Sequence, residues 1–158
     1  MHILVIENDA AEQQKAKETL EAAGHTALIT DDVLVAMEEI DSCDGVITDL
    51  FFPPKCRQGN VDYGQGYLSQ VCTGESEPPM GLLMVILAQA RGKKVVICTD
   101  AGGHNYKVGW IYDAFSHTWS DVFCGKVEYE EYCRQVPFRW VGSKSWSHAL
   151  DELERMLK

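Results

Sequence analysis

Short apolar segments of this chain end in polar side chains of the kinds that bind ligands. These side chains are the carboxylates, the amide, the hydroxyl and the amine of Glu7, Asn8, Asp9, Asp49, Thr99, Asp100 and Lys144. A carboxylate such as Asp49, which ends a segment of buried-strand character, costs free energy to bury unless it binds something. The set therefore predicts a binding site, provided that the fold brings together residues far apart in the chain.

Segments with the character of buried strands alternate with helical segments along the chain. The strand segments are short and rich in branched apolar residues, and they cover 3–6, 26–30, 45–50, 94–99 and 138–141. The helical segments cover 10–23, 33–40, 80–91 and 146–157, and the last of them has Ser145 as its predicted N-cap. This alternation predicts right-handed crossovers and a parallel sheet. We expect a doubly wound, three-layer α/β domain that binds ligands at the carboxyl ends of its strands.

Two segments interrupt the alternation. Residues 53–79 contain four glycines and four prolines, which predicts a long insertion directly after the strand that leads to Asp49. Residues 101–137 have a mixed pattern, with a candidate helix over 108–115. The whole chain, 1–158, is assigned to one domain, because domains of roughly 100–150 residues are the commonest.

The composition excludes several classes of partner. The chain carries 14 basic and 24 acidic residues, a net charge of −10, so nucleic acids and anionic membrane surfaces are not expected partners. The longest apolar stretch, 80–90, is far shorter than the ~20 residues needed to cross a bilayer. Glu7 interrupts the first apolar segment too early for a secretory signal. We expect a cytoplasmic protein whose six cysteines are mostly reduced structural thiols.

The polar residues and the segments that precede them resemble the receiver domain of two-component response regulators. The matching stretches are Ile3-Leu-Val-Ile-Glu-Asn-Asp9, Asp44-Gly-Val-Ile-Thr-Asp-Leu-Phe-Phe-Pro53, Val95-Val-Ile-Cys-Thr99 and Val141-Gly-Ser-Lys144. The stretch with Asp49 and a proline four residues later is the most specific of them. The resemblance implies a flavodoxin-like, five-stranded sheet of order 2-1-3-4-5. It also implies an atypical, stand-alone receiver with an insertion after its third strand.

The resemblance implies a phosphoryl-transfer role for three residues. Asp49 would be the phosphoacceptor, which attacks a phosphoryl donor and becomes an aspartyl phosphate. Lys144 and the Thr99 hydroxyl would contact the phosphoryl oxygens, and the movement of Thr99 would be the signal. The implied partners are a histidine kinase or phosphotransfer protein and an unknown downstream protein. The chain would then be a phosphoacceptor in phosphorelay signalling rather than a turnover enzyme.

The same resemblance implies a magnesium site. An anionic carboxylate that attacks an anionic phosphoryl group needs a hard cation, and Mg²⁺ prefers carboxylate oxygens and water. The implied ligands are Glu7, Asn8, Asp9 and Asp49. Receivers usually carry two adjacent acidic residues after the first strand, whereas here Glu7 is followed by Asn8. Weaker metal affinity is therefore expected unless Asp9 compensates, and Asp9 is equally well explained as a helix N-cap.

Other departures from the receiver pattern leave two further functions open. Asp100 stands where receivers have a small residue, and Val141 stands where many have Tyr or Phe. These departures favour a phosphorylation-independent pseudo-receiver, a binding module that keeps the scaffold but has lost the switch. Taken singly, Thr99 is equally well explained as an ordinary strand residue and Lys144 as a solvated charge. A small Mg²⁺-dependent phosphohydrolase with Asp49 as nucleophile is a weaker hypothesis, because the second carboxylate of a D-x-D motif is missing.

Overall fold

The sheet of this protein is parallel throughout the part of the chain that the computed structural model describes, residues 1–52, 80–100, 138–141 and 144–158. Its strands are β1 (His2–Ile6), β2 (Thr26–Thr30), β3 (Gly45–Thr48), β4 (Lys94–Cys98) and β5 (Phe138–Val141). They are ordered β2-β1-β3-β4-β5. The predicted insertion over 53–79 and the segment 101–137, with its candidate helix, lie outside the described residues.

The helices form a layer on each face of the sheet. The described ranges contain α1 (Ala10–Ala22), α2 (Val33–Glu39), α3 (Met80–Ala90) and α4 (Trp146–Leu157). Side chains of α2 and α3 pack on one face of the sheet, and side chains of α1 and α4 pack on the other. This arrangement confirms the predicted α/β class with a parallel sheet and is consistent with a flavodoxin-like fold. None of these described helices is long and apolar enough to span a membrane.

The first strand shows why its sequence is apolar throughout. Leu4 and Ile6 join the core beneath α2 and α3, whereas Ile3 and Val5 join the core beneath α1 and α4. All four side chains are fully buried. Successive side chains of a strand point to opposite faces, so a strand that is covered on both faces requires an unbroken apolar run.

Asp9 and Ser145 are the predicted N-caps of α1 and α4, and both occupy the cap position, but only Asp9 caps its helix with a side-chain hydrogen bond. At α1, Asp9 Oδ1 accepts hydrogen bonds from the backbone N–H groups of Ala11 (2.8 Å) and Glu12 (2.9 Å). At α4, Ser145 occupies the predicted N-cap position, but its side chain makes no capping hydrogen bond. The Ser145 hydroxyl instead lies 3.4 Å from that of Ser147.

Candidate functional site

The polar residues that follow β1, β3 and β4 lie at the carboxyl edge of the sheet, and three of them are buried. Glu7 is 1% exposed, Asp49 is 6% exposed and Thr99 is 1% exposed. β3 lies between β1 and β4 in the sheet, so these residues come from three adjacent strands. Lys144 follows β5 and extends toward the same edge, with a side chain that is 14% exposed.

Lys144 is the cation that joins the two buried carboxylates. Its Nζ lies 2.9 Å from Asp49 Oδ2 and also donates a hydrogen bond to Glu7 Oε2. The predicted meeting of residues from the beginning, the middle and the end of the sequence is therefore observed for these three side chains. Together they form what we call the Lys144 triad, Glu7, Asp49 and Lys144, with two negative charges and one positive charge.

The backbone around Asp49 fixes the direction of its carboxylate. The Asp49 N–H donates to the Ile6 carbonyl at 2.8 Å and so continues the pairing of β3 with β1. The next N–H, that of Leu50, donates to Asp49 Oδ1 at 2.7 Å instead of to a neighbouring strand. This bond explains why β3 ends at Thr48 rather than at the predicted residue 50. It holds Oδ1 and leaves Oδ2 directed at Lys144.

Helix α3 begins directly against this backbone. The Gly81 N–H donates to the Leu50 carbonyl at 2.9 Å. A Cβ atom at position 81 would lie 2.1 Å from the Asp49 carbonyl oxygen and 2.8 Å from the Leu50 Cα. Only glycine fits at so close an approach, so Gly81 sets how near α3 comes to Asp49.

Glu7 is held by backbone amides as well as by Lys144. Its Oε1 accepts hydrogen bonds from the N–H groups of Asn8 and Asp9, both at 2.9 Å. Burial raises the pKa of Glu7 above its ordinary value, although the hydrogen bonds from Lys144 and from the Asp9 N–H oppose the rise. The Glu7 carboxylate therefore depends on these donors to stay ionised in its buried position.

The ammonium group of Lys144 is stabilised by the same contacts. Burial by itself lowers the pKa of a lysine, but the hydrogen bond to Glu7 and the charge of Asp49 outweigh this effect and raise the pKa of Lys144. Lys144 is therefore charged at neutral pH, and it is a paired cation rather than the solvated charge considered from the sequence.

The other predicted site residues have different surroundings. Asp9 is exposed, and its carboxylate caps α1, whose backbone N–H groups at Glu12 and Ala11 lower the pKa of Asp9. Asp100 is exposed at the end of β4, and Val141 is buried in the core beneath α1 and α4. Val141, which differs from the Tyr or Phe expected from the receiver pattern, is therefore a core residue and not a side chain of the site.

The donor set can be compared with the needs of Mg²⁺. In the described part of the chain, no three Asp, Glu, His or Cys side chains are grouped as a metal centre. Mg²⁺ is often bound through one or two carboxylates, with waters and phosphate oxygens as its other ligands. The carboxylates of Glu7 and Asp49 fit that requirement in kind, whereas the cap formed by Asp9 turns its Oδ1 toward α1.

Trp146 and Glu12, which were not among the predicted site residues, lie beside the Lys144 triad. Trp146, the first residue of α4, is 3% exposed, and its Nε1 donates to Glu12 Oε2 on α1 at 2.9 Å. The Lys144 Nζ lies 6.0 Å from the centroid of the Trp146 ring. In the sequence, Trp146 stands out only through its place in the apolar spacing of α4. That spacing identifies Trp146 as a core residue, but it does not show that the indole binds Glu12 or lies beside Lys144.

Comparisons with known proteins bear on the fold. No protein-family model and no curated protein matches this chain. One similar solved structure is a fusion of the yeast Spc42 trimeric coiled coil to another structure, with 15% identity and a TM-score of 0.53, covering 99% of this chain and 78% of that chain. At that identity the likeness indicates a shared fold alone.

Two further solved structures are similar to this chain. A response regulator receiver domain protein of Clostridium thermocellum has 20% identity and a TM-score of 0.49, with 98% of this chain and 94% of that chain covered. The CMP N-glycosidase BcmB of Clostridium botulinum has 12% identity and a TM-score of 0.49, with 98% and 99% covered. The solved structures that are similar to this α/β chain thus include one receiver domain.

Proposed function

We propose that this protein is a receiver-like signalling protein in which Asp49 accepts a phosphoryl group. The donor would be a histidine kinase or a phosphotransfer protein, and the output would be contact with a downstream protein. The observation that carries the proposal is the 2.9 Å contact between Lys144 Nζ and Asp49 Oδ2 at the carboxyl edge of a parallel sheet. A buried carboxylate with an ammonium group at one oxygen is suited to bind the oxygens of an incoming phosphoryl group.

The chemical step uses the oxygen that faces Lys144. Asp49 Oδ2 attacks phosphorus, an O–P bond forms, and the bond from phosphorus to the donor nitrogen or oxygen breaks. The leaving group takes the bonding electron pair, and an imidazole leaving group takes a proton from solvent. Oδ1 stays hydrogen-bonded to the Leu50 N–H, so the carboxylate keeps its direction through the step. Lys144 supports the negative charge of the transferred oxygens, and Thr99 is the candidate hydroxyl donor to them.

The proposal includes Mg²⁺, which Glu7 and Asp49 would hold, with Asn8 beside them. The ion would supply positive charge that offsets the repulsion between the Asp49 carboxylate and the phosphoryl oxygens. Without it, Lys144 would be the single described cation in the triad, facing two carboxylates and the phosphoryl group together.

The test is phosphorylation by a small donor. Purified protein is incubated with acetyl phosphate and Mg²⁺, and its intact mass is measured together with that of Asp49→Asn. The matched control is Asp44→Asn, because Asp44 precedes the same strand at its opposite end and accepts a hydrogen bond from the His2 N–H at 2.7 Å. We expect the mass of one phosphoryl group to be added to the unmodified protein and to Asp44→Asn, and not to Asp49→Asn.

Two results would overturn the proposal. One is equal phosphorylation of Asp49→Asn and the unmodified protein, which would place the group elsewhere. The other is a folded protein that takes up no phosphoryl group and shows no change in its amide NMR spectrum with beryllofluoride and Mg²⁺.

A second function is favoured by one observation, the pairing of Lys144 with both carboxylates. In a phosphorylation-independent pseudo-receiver, this ammonium would be the permanent counter-ion of Glu7 and Asp49, and no metal would be required. Titration with Mg²⁺ separates the two functions. Binding at millimolar concentrations that is lost in Asp49→Asn supports the receiver, and no binding at those concentrations supports the pseudo-receiver.

A further inference from the structure

The strongest feature outside the Lys144 triad is the contact between α1 and α4 made by Trp146. The indole is buried, and its Nε1 donates to Glu12 Oε2 at 2.9 Å. The other oxygen of Glu12 accepts from Lys15 Nζ at 2.5 Å. A hydrogen bond to an ionised carboxylate is stronger than one between neutral groups, so the indole ring is held in one orientation against α1.

Trp146 is also adjacent to the site. Lys144 precedes it by two residues, and the Lys144 Nζ lies 6.0 Å from the ring centroid, at the outer limit of a cation–π contact. The lysine side chain is long and flexible, so without support from its surroundings its ammonium group would sample many positions. The indole lies beside the ammonium group while Glu7 and Asp49 bind it.

The start of α4 has no side-chain cap that would fix it independently. Ser145 is at the N-cap position and makes no capping bond with its side chain. The Ala149 N–H donates to the Ser145 carbonyl at 2.9 Å, which is part of the helix itself. The bond from Trp146 to Glu12 therefore ties the first residue of α4, two residues after Lys144, to a different element of the fold.

We propose that Trp146, anchored by Glu12, is a positioning residue that holds the Lys144 ammonium group at Glu7 and Asp49. The expected effect on phosphorylation rests on the proposed function, because the position of the ammonium group matters most when a phosphoryl group binds beside it. The position of Lys144 in the resting protein can be measured without that function. Trp146 and Glu12 are not placed in contact with the phosphoryl group, so they act through Lys144.

The first experiment follows Lys144 directly in the unphosphorylated protein. The NMR signal of its εCH₂ group at pH 7 is identified by its absence in Lys144→Met. We expect Trp146→Phe, which keeps a ring but loses the N–H, and Glu12→Ala to shift this signal. Glu12→Gln keeps an acceptor oxygen for the indole and should retain the original signal. Lys15→Met, which removes the exposed partner of Glu12, is the matched control and should leave it unchanged.

The second experiment measures the rate of phosphorylation by acetyl phosphate over a range of Mg²⁺ concentrations. We expect Trp146→Phe and Glu12→Ala to lower the maximal rate about tenfold, because small misplacements of a reacting group reduce rates strongly. The Mg²⁺ concentration at half-maximal rate should not change, and Glu12→Gln should restore the rate. A purely structural role is tested with Leu153→Ala, which alters α4 near Gly45, at the opposite end of β3.

The outcomes separate this inference from the proposed function. An unchanged Lys144 signal in both Trp146→Phe and Glu12→Ala overturns the positioning role, whatever the phosphorylation rates are. Equal rate losses in Leu153→Ala and Glu12→Ala, at matched stability, overturn it as well. If the unmodified protein is not phosphorylated at all, the proposed function fails, and the NMR signal alone decides whether Trp146 positions Lys144.

Discussion

Replacement of Lys144 by methionine tests the charge balance of the site most directly. At the 2.9 Å separation of Lys144 Nζ and Asp49 Oδ2, an effective dielectric constant of about 20 gives an attraction of about 6 kcal/mol. Much of this attraction offsets the cost of removing the ions from water. Removing one partner, however, leaves buried carboxylates without a counter-ion, and we expect Lys144→Met to lower the free energy of unfolding by about 3–5 kcal/mol at pH 7.

The loss should depend on pH through Glu7. Burial raises the pKa of Glu7 in the folded protein, so this carboxyl contributes stability in full below its unfolded pKa, and that contribution is lost as pH rises through the folded value. Without Lys144 the pKa of Glu7 rises further. The loss in the free energy of unfolding of Lys144→Met should therefore be smaller at about pH 4.5 than at about pH 7. At about pH 7 the carboxyl groups of Glu7 and Asp49 are both ionised in the unfolded chain.

The assay is urea unfolding followed by circular dichroism at the two pH values. Lys15→Met is the control, because Lys15 also pairs with a carboxylate but its side chain is 63% exposed, and we expect no measurable change for it. Adding Glu7→Gln to Lys144→Met removes one uncompensated charge and should recover much of the loss at pH 7. A Lys144→Met variant as stable as the unmodified protein at pH 7 would refute the reasoning, since the two carboxylates could not then be buried together as ions.

Three other predictions follow from the same edge of the sheet. Asn8→Asp adds a carboxylate beside Glu7 and should strengthen Mg²⁺ binding about tenfold in a calorimetric titration; an unchanged affinity would show that residue 8 does not face the ion. Gly81→Ala should cost about 2 kcal/mol or more in urea unfolding and displace α3, because its Cβ would meet the Asp49 carbonyl oxygen at 2.1 Å. Burial raises the pKa of the Cys98 thiol to about 12, so iodoacetamide at about pH 8 should label this residue only after unfolding in urea, as mapped by mass spectrometry.

The layout of the sheet could be predicted because its signal is local. An unbroken apolar run at 3–6, followed three residues later by the capping Asp9, specifies a strand that is covered on both faces and a helix that begins after a short turn. The end of β3 is different, because it is set by the hydrogen bond from the Leu50 N–H to the Asp49 side chain. Strand-forming residues continue past that point, and the sequence pattern therefore extended the strand too far.

The Lys144 triad could be anticipated only in part. That Lys144 would lie near Asp49 followed from the order of strands, since parallel strands place the residues that follow them at one edge. That the ammonium group would bind Glu7 as well depends on side-chain directions. The bond between Trp146 and Glu12 joins residues 134 positions apart and depends on how α1 and α4 pack, which no local pattern encodes. The spacing of apolar residues in α4 identified Trp146 as a core residue, but this spacing gives no sign that the indole N–H donates a hydrogen bond to Glu12.

The two candidate functions differ in what balances the charge at this edge. In the resting protein, one ammonium group faces two carboxylates, and the neighbouring Asn8 adds no charge, so a net negative charge of one unit remains on the triad. A phosphoryl group on Asp49 would replace the carboxylate charge with about two negative charges, by analogy with other phosphorylated side chains. Lys144 alone leaves that larger charge uncompensated in a buried position, which is costly. Lys144 is the one cation of the triad among the described residues, so if Asp49 is phosphorylated as proposed we expect a second cation to be needed. Dependence of phosphorylation on Mg²⁺ is therefore the property that we expect of a receiver with this site and not of a pseudo-receiver.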